Sequence, residues 1–489
     1  MVSLSFLAIA LAQASAPPLE CVVFGGGPAR SSNQIAIESN VRYVRDLVPQ
    51  GTRQRTLFAD GNPASKTVQF ESKTSATARL IQFLFGAGPS AGPPLLEYRP
   101  TLLKAVDAPL TAEQINTTFS TLKSSESKTP LLLYFTGHGS PGVQTSAALN
   151  PYDNNVFDLW KGETLSTKQL SRYVQQLPKD RPVTLLMVQC FSGSFGNVLF
   201  QEGNPTGAYM PNKLCGFFAT TKEREAAGCT PEVREENYRD FTTYFVAALT
   251  GKSRLGKKHE QPDYDGDGKT GMNEAFAWTL IHEDSIDVPV CTSDVFLRRF
   301  VPVQSDAEIA VVPWAEVLAS ARPSQKAALL GLCNVLGQEA QTDDRLKTAF
   351  GRVNRPAITA NYAPSMTPHS LQEYQRWRKT LGEEFPALRA RRPSDADWQE
   401  AIRSAEERFE SNPEQAKAIG ELLSALEKAS ATSLMSDATN AQWLRLARLA
   451  KSVVLEKRLR ATKDKARIQQ LDDLLALEAS NPFATNGRS

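Results

Sequence analysis

The sequence predicts an α/β protein with a mostly parallel sheet flanked by helices, followed by an all-α C-terminal region. Two observations carry this prediction. From about residue 20 to 300, short apolar runs alternate with amphipathic segments, and beyond about residue 305 no strand pattern of any length follows. Continuous apolar runs are typical of strands that helices cover on both faces. The chain of 489 residues is also too long for one core, since domains average about 150 residues.

The predicted strands and helices of the first half alternate along the chain. Helices are expected to begin at Thr111 and Ser166, because Gln114 and Gln169 follow three residues later in capping-box position. Ligands of parallel sheets bind beyond the carboxyl ends of the strands. The predicted strands are 21–24, 56–59, 131–135, 183–188 and 214–219, and the remaining helices are 33–48, 237–249 and 273–281.

The second half reads as helices rich in Ala, Leu, Arg and Glu, separated by breaks that contain proline. We therefore predict a domain of residues 17–304 and a helical domain, or two small ones, over residues 305–489. The charged face of 442–470 is that of a solvated helix or of a coiled-coil partner. The predicted helices are 325–336, 370–381, 395–409, 415–426 and 442–477.

Composition excludes several classes of protein. With 41% hydrophobic and 22% charged residues, the chain is neither an integral membrane protein nor mostly disordered. The 55 basic and 53 acidic residues nearly cancel, so nothing indicates a nucleic-acid partner. Six cysteines are too few for a disulfide-built scaffold, although Cys215 and Cys229 are a plausible bridge in an exported protein.

The N-terminus resembles a secretory signal over residues 1–16. Its apolar run, residues 2–12, is too short for the roughly 20 residues that span a bilayer. Small residues follow, and we expect cleavage after Ala14 or Ala16 and a secreted or periplasmic protein. No Lys or Arg precedes the run. A buried first strand or a misplaced start remains the alternative.

A histidine and a cysteine follow the two most apolar strands. His138 lies in YFTGHGSPG and Cys190 in QCFSGSF. A thiol nucleophile needs a base, and an imidazole across the mouth of the sheet can serve as one. Neighbouring glycines allow close approach of a substrate backbone. A buried cysteine and an unrelated loop histidine are the alternative reading of the same residues.

These two motifs resemble the catalytic motifs of the legumain family and, more broadly, of caspase-like cysteine peptidases. His precedes Cys, as in those families, and the segment 218–225 is also similar. The resemblance implies a caspase–haemoglobinase fold, with His138 as general acid and base and Cys190 as nucleophile. The main-chain N–H groups of Gly139 and Cys190 would form the oxyanion hole. Asn33 is the nearest candidate for the asparagine that orients the histidine.

The chain departs from the legumain pattern around the substrate pocket. Phe191 follows the cysteine where the family has an acidic residue, and Ala226 replaces a pocket serine. Asp240 aligns with the pocket aspartate of the family. A buried carboxylate there would equally suit Arg or Lys in the substrate. Asp240 could instead be an exposed residue early in a helix.

Residues 263–274, DYDGDGKTGMNE, match a twelve-residue calcium loop. Gly268 stands at position six, where such a loop turns sharply. Oxygen donors alone favour calcium over zinc. A structural Ca²⁺ site is predicted, with an acidic surface turn as the alternative. The predicted ligands are Asp263, Asp265, Asp267, the carbonyl of Lys269, and Glu274.

Together these features predict an exported, calcium-stabilised cysteine endopeptidase acting on proteins or peptides. Neither an organic cofactor nor a membrane span is expected. The helical region could contact the active site as an inhibitory segment. The alternatives are a catalytically silent caspase-fold binding protein with a helical interaction domain, and a self-processing zymogen or transpeptidase.

Overall fold

The computed structural model describes residues 19–71, 75–85, 96–125, 127–143, 150–353, 367–389 and 395–484. The predicted export signal lies outside them. The strands are β1 (Glu20–Gly26), β2 (Arg53–Phe58), β3 (Val68–Glu71), β4 (Leu96–Arg99), β5 (Leu131–Gly137), β6 (Gly139–Ser140), β7 (Val156–Asp158), β8 (Thr164–Ser166), β9 (Val183–Met187), β10 (Leu214–Phe218) and β11 (Val290–Cys291). The helices up to residue 320 are α1 (Ile35–Leu47), α2 (Ala76–Phe85), α3 (Ala112–Ser124), α4 (Thr167–Gln175), α5 (Phe241–Thr250), α6 (Met272–His282), α7 (Thr292–Phe300), α8 (Ala307–Ala310) and α9 (Trp314–Ser320). The remaining helices are α10 (Pro323–Leu336), α11 (Arg345–Val353), α12 (Pro368–Glu384), α13 (Asp395–Glu410), α14 (Pro413–Arg460) and α15 (Lys465–Glu478).

A six-stranded sheet forms the centre of the first half. Its strand order is β11-β10-β9-β5-β1-β2, and only β11 runs antiparallel to its neighbour. All seven residues of β5 and all five of β9 are buried, as expected of strands covered on both faces. The predicted α/β class, with a mostly parallel sheet and a helical C-terminal region, is confirmed.

Two predicted helix boundaries are wrong. The helix expected from residue 237 begins at Phe241, because the side chain of Asp240 caps it by accepting the Thr243 N–H. The segments 415–426 and 442–477 were expected as separate helices. Residues 415–426 instead belong to α14, which continues to Arg460. The helical segment ends there, and the next helix, α15, begins at Lys465.

Short strands outside the central sheet are absent from the sequence prediction. β3 pairs with β4, and β6, β7 and β8 form a small antiparallel sheet. These strands have two to four residues each, too few to establish an alternating pattern.

Helices of the second half contribute to the core of the sheet. Leu459 of α14 and Leu471 and Leu474 of α15 belong to the same buried cluster as the central strands. Conversely, Leu80 and Ile81 of α2 pack with Trp377 and Trp398 of the helical region. The apolar packing therefore crosses the predicted domain boundary near residue 305 in both directions.

Among the described residues, we find no helix with the length and apolar character needed to cross a membrane.

Replacing Leu474 by Ala tests whether α15 belongs to the sheet core. Leu474 is 1% exposed, and a buried Leu→Ala change costs about 2–5 kcal/mol. Leu330→Ala is the control, because Leu330 is 42% exposed on α10 and should change stability by about 0.5 kcal/mol or less. Urea unfolding measures both. Equal and small losses of stability in the two variants would contradict this packing.

Candidate active site

His138 and Cys190 occupy equivalent positions just after two neighbouring strands. β5 and β9 pair in parallel with Phe135 opposite Met187, so each residue follows that pair by three positions. The two loops also touch, since a Cβ built on Gly139 would lie 2.3 Å from the Cys190 carbonyl oxygen. The predicted adjacency of the two strands is thereby confirmed. The residue at this contact has to be glycine.

The imidazole of His138 is oriented through one ring nitrogen. Nε2 lies 2.9 Å from the Ser32 carbonyl oxygen and 2.9 Å from Gln34 Oε1. A carbonyl oxygen only accepts, so Nε2 carries the hydrogen and Nδ1 is the unprotonated nitrogen of the neutral ring. Burial lowers the pKa of His138 from its usual 6.5. The ring is therefore neutral near pH 7, the state that a general base needs.

Asn33 lies beside this contact without making it. Its Oδ1 accepts the Gly27 N–H at 3.2 Å, and its Nδ2 donates to the Thr67 carbonyl at 3.2 Å. Asn33 was expected to orient the histidine. Ser32 and Gln34, the residues on either side of Asn33, do so instead. Asn33 instead fixes the loop that presents them. Because the Ser32 contact is a main-chain carbonyl, no residue type in the sequence could have indicated it.

The thiol of Cys190 is held by the loop that follows β10. The Ala226 N–H lies 3.2 Å from Sγ, and the Ala226 carbonyl oxygen lies 3.7 Å from it. Burial raises the pKa of Cys190 to about 12. The thiol is therefore protonated at neutral pH, and its use as a nucleophile requires a base that removes the proton during attack.

Phe191 forms a strained turn directly after the cysteine. Its φ of 59° is left-handed, a conformation that costs a side-chain-bearing residue about 1 kcal/mol or more. Phe191 N donates to the Arg224 carbonyl at 2.8 Å, and Phe191 O accepts from Asn155 Nδ2 at 2.9 Å. Its ring stacks on Tyr152 at 6.2 Å. This turn, pinned on both sides, fixes Cys190 relative to the 3-10 helix Ser192–Leu199.

The cysteine bridge considered from sequence is not formed. All six cysteines fall within the described residues and are free thiols. Cys229 donates to the Gly137 carbonyl at 3.2 Å, whereas Cys215 contacts Thr184 on the sheet. Cys229 thus lies beside the candidate site and Cys215 in the sheet core.

Asp240 is buried and already partnered. Its carboxylate accepts from Asn40 Nδ2 at 2.7 Å and lies 3.4 Å from Arg254 Nη2. A Cβ on Gly228 would approach the Asp240 Cβ to 2.9 Å, so Asp240 lies directly behind the loop that carries Cys229. The alternative of an exposed residue is wrong, because Asp240 is 2% exposed. Its charge is balanced by Arg254, which is equally buried.

A buried pair of acids near the cysteine is absent from the sequence prediction. Asp287 Oδ1 accepts the Ala227 N–H at 2.6 Å, next to the Ala226 N–H that contacts Cys190. Glu283 lies close enough to Asp287 for each carboxyl to affect the ionisation of the other, and Arg445 Nη2 lies 4.0 Å from Glu283 Oε2. Burial raises the pKa of Asp287 to about 7 and that of Glu283 well above its usual value. Near neutral pH at least one of the two carboxyls is therefore protonated.

The predicted calcium loop brings three carboxylates together. Asp263, Asp265 and Asp267 each offer one oxygen, and these oxygens lie within 4.8 Å of one another. The turn is held by its own amides: Asp263 accepts from Gly266 N at 2.8 Å and Gly268 N at 3.0 Å. All three aspartates are exposed and oxygen-only, which suits a hard cation.

Glu274, the fourth predicted carboxylate ligand, is not part of this cluster. Glu274 is buried and accepts the Gly271 N–H at 2.9 Å and the Asp265 N–H at 3.2 Å. Its carboxylate therefore bonds the backbone at both ends of the turn. Lys269 is exposed, and its N–H donates to Asp267 at 2.8 Å.

The chain matches no protein-family model, and a search of curated proteins finds no match. The chemistry of the site therefore has to be inferred from its geometry.

Replacing Asp287 by Asn should change how stability depends on pH. Because the pKa of Asp287 rises from 3.8 to about 7 on folding, the folded protein retains a proton that the unfolded chain releases. Wild-type stability should therefore fall as the pH rises from about 4 to about 7. We expect D287N to gain in melting temperature over the wild type between about pH 5 and pH 8.

The exposed Asp343→Asn variant is the control for the same pH series. Thermal unfolding followed by circular dichroism measures all three proteins. A constant difference between D287N and the wild type across the series would show that Asp287 does not titrate in this range.

Proposed function

We propose that the protein is an exported cysteine endopeptidase of caspase-like fold, in which Cys190 and His138 hydrolyse peptide bonds. One observation carries the proposal. The two residues follow register-matched ends of neighbouring parallel strands, and their loops meet at Gly139. Ligands of parallel sheets bind at that edge. The motif resemblance to legumains and caspases agrees with the arrangement.

The reaction follows from the state of the two groups. His138 Nδ1 takes the thiol proton as Sγ attacks the substrate carbonyl carbon, which forms a tetrahedral intermediate. The imidazolium then protonates the leaving amine, the C–N bond breaks, and a thioester remains on Cys190. The same nitrogen then deprotonates a water molecule as it attacks the thioester carbon. The C–S bond breaks, the imidazolium returns the proton to sulfur, and the carboxylic acid product leaves. Nε2 stays bonded to Ser32 and Gln34 throughout.

The oxyanion would be stabilised by the main-chain N–H groups of Gly139 and Cys190. Such donors are worth about 3–4 kcal/mol in the transition state when they are fixed in place. Gly139 is held by pairing with Phe157, and Cys190 by the strained turn at Phe191. This rigidity supports the assignment.

The proposed substrate pocket has no free acidic group among the residues singled out from the sequence. Phe191 stacks on Tyr152, and Asp240 is neutralised by Arg254. An asparagine or a basic preference is therefore not part of the proposal.

A catalytically silent binding protein is the second candidate. The observation in its favour is the partly buried thiol of Cys190, whose pKa is raised to about 12. A thiol held in this state reacts slowly unless a base assists it.

We also propose that residues 263–274 bind Ca²⁺ as a structural clip. Asp263, Asp265 and Asp267 are the ligands that the geometry supports best. The loop is tied to the C-terminal tail, because Asn481 Nδ2 donates to the Thr270 carbonyl at 2.9 Å and Met272 N to the Ser480 carbonyl at 3.0 Å. An ion would therefore stabilise the junction between α6 and the end of the chain.

Labelling by a peptidyl acyloxymethyl ketone, which alkylates activated thiols, tests the dyad. We expect one label on Cys190, with both labelling and peptide hydrolysis abolished in Cys190→Ala. In His138→Ala both rates should fall by about a hundredfold or more, because a general base contributes about that much. Cys333→Ala removes a thiol in α10 and should match the wild type. Absence of label on the calcium-loaded wild type would favour the silent binding protein.

Calcium should raise the melting temperature of the wild type and not that of the double variant Asp263→Asn, Asp265→Asn. The variant lacks two of the three clustered carboxylates, so little of the charge that attracts the ion remains. Differential scanning fluorimetry in EDTA and in excess Ca²⁺ measures the shift, with Asp343→Asn as control. Equal shifts in both proteins would place the ion elsewhere.

A further inference from the structure

Arg445 connects the helical region to a segment behind the candidate site. It lies on α14, is 1% exposed, and its guanidinium donates only to main-chain carbonyls in the described structure. Four such bonds hold the segment from the end of α6 to Asp287, an unusually complete set for one side chain. They are Nε to Asp287 at 2.8 Å, Nη1 to Glu283 at 2.6 Å, Nη1 to Leu280 at 3.3 Å and Nη2 to Ser285 at 3.1 Å.

The same segment reaches Cys190 through two more bonds. Asp287 Oδ1 accepts the Ala227 N–H at 2.6 Å, and the adjacent Ala226 N–H points at Cys190 Sγ, 3.2 Å away. An N–H directed at sulfur favours the thiolate over the thiol. Asp287 thus bonds the peptide next to that N–H, and Arg445 bonds the main chain of Asp287.

We propose that Asp287 and Arg445 are positioning residues for the Cys190 nucleophile. The helical region then helps to position the nucleophile of the active site and is not a removable inhibitory segment. The proposal rests on the proposed function only in calling Cys190 a nucleophile, because the reactivity of the thiol is measurable without any peptide substrate.

Both acidic and basic groups surround Asp287. Glu283 faces it from the end of α6, Arg445 from α14 and Asp240 from the start of α5. Arg224, on the loop after β10, also lies near and donates to the Ile286 carbonyl at 3.4 Å. Asp240 is paired with its own Arg254. Above about pH 7, where Asp287 is ionised, it holds the Ala227 N–H as a charge-assisted acceptor, stronger than a neutral one.

The cysteines and the remaining charged groups complete this environment. Cys190 and Cys229 lie close enough to Asp287 for its charge to disfavour their thiolates. Tyr244 and Asp284 face Arg445, and Asp437 of α14 faces Arg224. The charge of Asp287 acts against the thiolate, so any gain in thiol reactivity that depends on Asp287 must come through its hydrogen bond to the loop.

The test is the rate at which iodoacetamide alkylates Cys190 in the full-length protein across a pH series. The adduct is located by peptide mapping. In Asp287→Ala the Ala227 N–H loses its acceptor, and we expect the alkylation rate at each pH below the titration midpoint of Cys190 to fall by about tenfold, which corresponds to a midpoint about one unit higher. Asp287→Asn keeps an oxygen acceptor and should recover most of that loss. If Asp287 affected Cys190 only through its negative charge, its removal would instead lower the titration midpoint of Cys190.

Arg445→Met should shift the midpoint in the same direction as Asp287→Ala, with partial recovery in Arg445→Lys. Arg458→Met is the matched control, since Arg458 lies on the same helix in a surface pair with Glu308 and should leave the profile unchanged. Circular dichroism checks that each variant is folded. If Arg445→Met does not fold, the comparison of Asp287→Ala with Asp287→Asn still tests the proposal.

A folded Asp287→Ala protein with a wild-type or lowered midpoint overturns the positioning proposal. If the variants show the predicted shifts but the wild type hydrolyses no peptide, the proposed function is overturned and the positioning proposal stands. The two failures are therefore distinguishable.

Discussion

The parallel pairing of β5 with β9 is the constraint on which the rest of the site depends. It sets Phe135 opposite Met187, and the chain then leaves both strands at the same edge of the sheet. Three residues later come an imidazole and a thiol. Slipping the register by one residue would turn each buried side chain to the other face, so the apolar runs that fix the pairing also fix the site.

Main-chain groups help to hold both side chains, and one side-chain amide, that of Gln34, also contacts His138. His138 is oriented by the Ser32 carbonyl and the Gln34 amide, and Cys190 by the Ala226 N–H and the strained turn at Phe191. A neutral imidazole beside a protonated thiol is a resting state in which no ion pair is preformed. Proton transfer would accompany attack, which links reactivity to the arrival of a substrate.

Much of the fold could be predicted because its elements are marked by local signals. Buried runs mark β5 and β9, and the capping box at Ser166 and Gln169 begins α4 where expected. The supporting contacts could not be predicted in this way. Arg445 lies 158 residues from Asp287, and no periodicity relates them. The burial of Asp240 likewise depends on Asn40 and Arg254, which lie on other segments.

Trapping the covalent intermediate tests the central claim most directly. The wild type is mixed with an activated peptide ester, quenched in acid within one turnover and digested, and the fragments are weighed. The account predicts one acyl group, on the fragment that contains Cys190, and its disappearance with time when His138 is present. An acyl group on another residue, or none at all while peptides are cleaved, would contradict a thioester on Cys190.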